Sequence, residues 1–159
     1  MSLKVLTILG IIANMIAVLP VAEAQTTSLA TCLPEFDWMN DSRNQSPCVV
    51  AAYMQGACTN GEYIVQPLAP SYHYIGPTVK QDNPCQCSTV VYSLMSACGM
   101  CQNRTIEGWS AWQTNCSVVY TQQFPESIPF GINVPGWAYL DVVTKDTFSA
   151  AAAKADICK

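Results

Sequence analysis

Eight of the nine cysteines in this 159-residue chain fall between Cys32 and Cys116, and no other feature limits its fold as strongly. They are Cys32, Cys48, Cys58, Cys85, Cys87, Cys98, Cys101 and Cys116, with Cys158 standing apart. In an oxidising compartment an even set of this kind reads as four disulfides. Eight cysteines admit on the order of a hundred pairings, so the connectivity stays open. A native bridge typically contributes about 2–4 kcal/mol by restricting the unfolded chain. Four of them rival the whole net stability of a small domain.

The N-terminus supplies the compartment. Residues 1–24 carry one positive charge at Lys4, an apolar run from Val5 to Leu19 and an Ala22-Glu23-Ala24 cleavage site, the pattern of a secretory signal peptide. The run is short for a bilayer span and Pro20 follows it. Residues 25–149 then form one cysteine-rich extracellular domain, and 150–159 a short C-terminal tail. Four N-x-[ST] sequons, at Asn40, Asn44, Asn103 and Asn115, are candidate glycosylation sites in such a chain.

The densest cysteine stretch, "CQCSTVVYSLMSACGMC", invites a metal or redox reading. C-x-C followed by C-x-x-C offers four thiolates, a set that zinc commonly takes. The ten residues between the two pairs read as continuous helix, which holds the pairs ~15 Å apart. One zinc ion with sulfurs about 2.3 Å away does not reach both ends. A redox C-x-x-C belongs where a helix begins and its dipole favours the thiolate, whereas Cys98 to Cys101 falls where this helix ends. Structural bridges are therefore expected, with no metal and no cofactor.

Periodicity organises the rest into a mainly α, disulfide-stapled domain with long Pro-rich loops and an extended C-terminal segment. Gln25 to Thr31 reads as a loose leader and Cys32 to Asn44 as a loop with short turns. Ser46-Pro47 gives a helix start, Ser as cap and Pro in the first turn. Pro67, Pro70 and Pro77 with Gly61 and Gly76 break the stretch 59–83 into a long loop. Cys87, Val91, Leu94, Cys98 and Cys101 step by four and three, one face of a second helix with Ser88 as a possible cap. A third helix is expected from Ile106 to Cys116, weakened by Gly108. An extended wrap follows it, then a short strand over Trp137 to Val142 and a terminal helix from Phe148.

Charge excludes some partners. The chain holds 7 basic and 11 acidic residues, a net charge of −4, and no basic cluster. Nucleic acid needs clustered Lys and Arg against phosphates, so it is not an expected partner. The single histidine, His73, lies between Tyr72 and Tyr74. No G-x-S-x-G or other catalytic signature accompanies it. Glu35, Asp37, Asp41, Glu62 and Asp141 are the carboxylates from which a glycosidase pair would have to come. Tyr72, His73, Tyr74, Trp137 and Tyr139 form the candidate binding surface, as aromatic faces for a sugar or a protein.

The stretches "CLPEFDWMNDSRNQSPCVVAAYMQGAC", "NPCQCSTVVYSLMSACGMCQ", the W..W..NC of Trp109 to Cys116 and "FPESIPFGINVPGWAYLDV" resemble a large group of cysteine-rich surface proteins from mushroom-forming (basidiomycete) fungi. The resemblance spans nearly the whole chain after residue 24. It implies location and architecture but no reaction, since the group has no assigned activity. Many of its members look like type I membrane proteins, this ectodomain followed by a transmembrane helix and a polar cytoplasmic tail. The present sequence stops at Lys159 without one, which reads either as a secreted short form or as a truncated chain. The expected function is binding of a cell-wall carbohydrate or a protein partner by a secreted or cell-surface glycoprotein, without catalysis. A secreted effector or signalling protein is the alternative, and a secreted hydrolase or a haem binder comes after it.

Overall fold

A computed structural model describes residues 26–157; the signal segment read over residues 1–24 and Cys158 lie outside them. The architecture is mainly helical, around two central helices, α1 (Pro47–Gly56) and α2 (Thr89–Cys101). Ser46 caps α1, its Oγ accepting from Val49 N at 3.4 Å, and Pro47 occupies the first turn. Ser88 caps α2 in the same way, accepting from Val91 N at 3.2 Å. Each cap supplies an acceptor to a first-turn N–H that the helix cannot satisfy itself.

In α2, 12 of 13 residues are buried, Met100 being the exception. The four-three cysteine stripe therefore understates the burial: the whole cylinder is core. Cys87 lies outside the helix, one residue before the cap. All eight cysteines between Cys32 and Cys116 pair, as Cys32–Cys101, Cys48–Cys98, Cys58–Cys85 and Cys87–Cys116. Cys48–Cys98 joins α1 to α2 directly. Cys58–Cys85 ties the turn after α1 to the approach to α2, and Cys87–Cys116 ties the start of α2 to the segment beyond the third helix. The two cysteines of the C-x-x-C take different partners, so the motif is two staples and not one dithiol.

The residues expected to be a loose leader form β1 (Thr26–Ser28), which pairs in parallel with β2 (Tyr63–Val65), Thr26 opposite Tyr63. Three polar residues carry no alternating pattern; the partner strand and the buried wall of α1 hold them. The approach is close, for a Cβ on Gly56 would lie 2.8 Å from Thr26 Oγ1. Pro34–Met39 forms a 3-10 helix where turns were expected.

The third helix, α3 (Trp109–Trp112), is shorter than expected and continues as a 3-10 turn over Gln113–Asn115. Its start is set from a distance. Asp146 accepts from Trp109 N through its carbonyl at 3.1 Å and from Ser110 N through its carboxylate at 2.6 Å. The carboxylate, held by Ser110 Oγ at 2.7 Å and by Ser110 N, stays below the usual carboxylate pKa range. Trp109 and Trp112 pack edge-on to Tyr92 of α2, with ring centroids 5.4 and 5.7 Å apart.

The strand read over Trp137 to Val142 is absent. Pro135 leads instead into a 3-10 helix, Gly136–Tyr139, in which neighbouring Trp137 and Ala138 are both buried. Adjacent buried residues break the alternation that a strand requires. The segment 150–157, set apart as a tail in the sequence reading, is α4 (Ala150–Ile157): Ala153 is buried and the Lys154 ammonium lies 5.7 Å from the Trp38 ring centroid.

Removing the interhelical bridge with Cys48→Ala and Cys98→Ala is expected to cost about 2–5 kcal/mol, read as a lower midpoint in chemical denaturation. Peptide mapping under non-reducing conditions is expected to return the four pairings above, and a Cys98–Cys101 linkage would contradict this fold.

Candidate functional site

The Pro-rich loop over 66–84 carries the histidine and two of the candidate tyrosines, and polar side chains from beyond α2 pin it in place. Gln102, at the C-terminal cap of α2, accepts from Leu68 N at 2.9 Å and donates to Tyr74 Oη at 3.0 Å. Tyr74 Oη in turn donates to Gln66 O at 2.6 Å. Arg104 Nε donates to Leu68 O at 3.0 Å and Asn115 Nδ2 to Pro77 O at 2.9 Å. Gly76 N donates to Glu107 Oε1 at 2.8 Å. Leu68, Tyr74, Gly76 and Pro77 of the loop are thus each hydrogen-bonded to a side chain that follows α2.

Gly76 is the tightest point. A Cβ placed on it would lie 1.8 Å from the Trp112 carbonyl oxygen, so only glycine lets the loop lie against α3.

Between this loop and the two central helices is a cleft of about 320 Å³, lined among others by Gln55, Tyr63, His73, Tyr74, Gln81 and Gln86. Burial raises the hydroxyl pKa of both Tyr63 and Tyr74, so each stays a neutral donor and acceptor. Trp112 forms part of the wall, and its indole Nε1 donates to Gln86 O at 2.8 Å.

His73 is 40% exposed, and its Nε2 lies 4.0 Å from Glu107 Oε2, whose side chain is 14% exposed. Burial pushes the Glu107 carboxyl above the usual range, against the Gly76 N–H bond and the nearby His73, which favour its charged form. The arrangement holds a partly desolvated carboxyl beside an imidazole, behind walls of rings and amides.

The sequence-derived candidates separate. Tyr72 is 66% exposed and points away from the core, while His73 and Tyr74 line the cleft. Trp137 is 1% exposed, packed edge-on against Phe148 at 5.6 Å, so it offers no aromatic face to solvent. Tyr139 is half-buried. These two do not join the His73 loop in one surface, because the wrap folds Trp137 into the core. Asn44, Asn103 and Asn115 are exposed and Asn40 is half-buried, its Nδ2 donating to Asn44 Oδ1 at 3.0 Å.

Of the singled-out carboxylates, Glu35, Asp37, Glu62 and Asp141 are exposed. Asp41 is buried and serves the backbone, accepting from Arg43 N and Gln45 N at 2.8 Å each. Two groups cluster within ligand distance, Cys32 with Cys48 and Cys101, and Asp82 with Cys87 and Cys116, and all five cysteines are engaged in disulfides and present no free thiolate.

Glu107, Gln102 and Gln55 were missed in the sequence. The available signal was a glutamine at the end of each apolar helical run, Gln55 in α1 and Gln102 after α2. Polar residues there need partners from elsewhere in the chain. No protein-family model, no characterised protein and no solved structure matches the chain.

Two outcomes follow from this geometry. Gly76→Ala is expected to displace the loop at a cost of about 3 kcal/mol or more in denaturation. For Glu107, the raised pKa means that the folded state holds the proton more tightly than the unfolded chain, so its contribution falls as pH rises above about 4.3. Glu107→Gln keeps an acceptor for Gly76 N and removes that dependence. Relative to wild type, the variant is therefore expected to gain stability in thermal melts as pH is raised from acid to neutral.

Proposed function

We propose that this chain is a secreted or cell-surface glycoprotein domain that acts by binding, without catalysis, and that a neutral cell-wall carbohydrate occupies the cleft under the His73 loop. The observation that carries this reading is the chemistry of the walls. Tyr63, Tyr74 and Trp112 bring rings to the cleft and Gln55, Gln81 and Gln86 bring amides, and no Asp, Glu, Lys or Arg is among its described lining residues. A sugar presents apolar ring faces and uncharged hydroxyls, which match aromatic faces and amides respectively. A cleft of about 320 Å³ is at the lower end of small-ligand sites, fitting a short segment of a longer polymer. Four disulfides, and no helix among the described residues long and apolar enough to cross a membrane, accord with an extracellular place.

A hydrolase is the second reading, favoured by Glu107. A carboxyl with a raised pKa beside a cleft is what a general acid requires. Glycoside hydrolysis uses a second carboxyl about 5–9.5 Å away. Neither the cleft nor the small cavity beside it that Glu107 lines has another carboxylate among its described lining residues. Binding is the better-supported function for that reason.

The test is retention of the purified protein on insoluble cell-wall glucan and chitin, followed by titration with the corresponding oligosaccharides. His73→Ala and Gln81→Ala are each expected to weaken binding about fivefold, the equivalent of one hydrogen bond of about 1 kcal/mol. No reducing ends are expected to appear on prolonged incubation. Release of reducing ends that Glu107→Gln abolishes would establish the hydrolase, and failure to bind any glycan would reject the carbohydrate reading.

A further inference from the structure

The three glutamines of the cleft under the His73 loop are not equivalent. Gln55 is 1% exposed and its amide is spent inside the fold, Nε2 donating to Ala51 O at 3.4 Å and to Met95 Sδ at 3.2 Å. Gln81 Oε1 accepts from Thr78 N and Thr78 Oγ1, which leaves its Nε2 as a donor with no partner among the described residues. Gln86 is the outlier. It is 7% exposed, its backbone N donates to Asn83 Oδ1 at 3.0 Å and its carbonyl accepts from Trp112 Nε1 at 2.8 Å, yet its side-chain amide makes no hydrogen bond among the described residues. A glutamine so deeply buried ordinarily has its amide answered, so an unanswered one at a cleft wall is suited to a ligand's polar group.

The same cleft also has an apolar side. Met95, 3% exposed, and Ile75 are among its lining residues, and no charged side chain is. The unmet needs are therefore an N–H for the Gln86 amide oxygen, a carbonyl for the amide nitrogens, and a small apolar group, all without net charge. A hexose hydroxyl supplies a donor and an acceptor on one atom and nothing apolar beyond it. An acetamido group carries N–H, C=O and a methyl in a single uncharged substituent.

We infer that the cleft reads an acetamido group, so that its carbohydrate is a polymer of N-acetylated hexosamine. The acetamido N–H donates to the Gln86 amide oxygen, its carbonyl accepts from Gln81 Nε2, and its methyl lies against Met95. This inference rests on the reading of the cleft as a carbohydrate site and sharpens it to one substituent. A plain glucan brings no N–H and no methyl to that wall, and a site whose buried polar groups are matched to a ligand group discriminates strongly against analogues lacking it. A deacetylated polymer is disfavoured as well, since it replaces the amide with an ammonium, and no carboxylate is among the described lining residues to receive it.

The probes are the linear tetramers of N-acetylglucosamine, glucosamine and glucose, titrated into the protein and followed by calorimetry. The N-acetylated tetramer is expected to bind at least about tenfold more tightly than either of the others. Gln86→Met keeps the length of the side chain and leaves both backbone hydrogen bonds of residue 86 in place, and it is expected to cut that preference to less than about threefold. In the protein labelled with ¹³C at its methionine methyls, the Met95 resonance is expected to shift on adding the N-acetylated tetramer. Equal binding of the glucose tetramer, a preference that survives Gln86→Met, or a Met95 methyl that does not respond overturns the acetamido assignment and leaves the carbohydrate reading standing. Failure of all three tetramers and of insoluble chitin and glucan to bind rejects both. The ligand series is read on the unaltered protein, so it decides the matter even where the variant does not fold.

Discussion

The C-terminal end of α2 is where the structure is locked. Cys98 and Cys101 reach Cys48 and Cys32, and the two bridges lie side by side, with Cys48 Sγ 3.7 Å from Cys101 Sγ. They close separations of 69 and 50 residues, each worth about 4 kcal/mol in the chain-entropy account. The need for such a lock follows from the burial of α2. A helix buried on every side has no solvent face to set its rotation, and hydrophobic burial is non-directional. Fixed covalent points at one end and the Ser88 cap at the other supply the orientation that amphipathicity does not. The strand before Cys32 and the loop over 66–84 inherit their positions from that end, since Leu33 N donates to Cys101 O at 2.8 Å and Gln102 grips Leu68 and Tyr74.

Rigidity of the cleft is a consequence of this arrangement. Gln102, Arg104, Glu107 and Asn115 all follow α2 in sequence, so the same short stretch that ends the central helix also holds the loop opposite it. Binding to a preformed surface avoids much of the ordering cost that a mobile loop of this length would incur. Burial of Glu107 works against the charge on its carboxyl, and the bond from Gly76 N is what keeps that carboxyl in use as an acceptor.

What was legible in the sequence was local chemistry. Ser46-Pro47 and Ser88 announced both central helices because a cap and its first turn are neighbours in the chain, and both caps are formed. Cysteine parity gave four bridges for the same reason that it gave no connectivity: counting is local and pairing is not. The failures are the long-range items. β1 is held by a strand nearly forty residues away, and the start of α3 is set by Asp146, which no window around Gly108 contains. The strand read over Trp137 to Val142 fails because Trp137 and Ala138 are both buried, which the alternation of a strand does not allow. In the site, the aromatic loop was visible as composition, but Glu107 was not, since its role comes from a backbone N–H of Gly76 supplied across the fold.

Trp112 and Trp137 show why burial alone does not identify a functional surface. Both are almost wholly buried, and both line a hollow. Trp112 has its indole donor satisfied by Gln86 O, so it completes a wall and asks nothing of a ligand. Trp137 has not: its Nε1 is buried without a hydrogen-bond partner, packed inside the fold by the wrap. In the first hollow further polar groups are likewise answered from within the chain, Tyr74 Oη by Gln66 and Gln102 and Gln81 Oε1 by Thr78, so its walls are held by the fold before any ligand arrives.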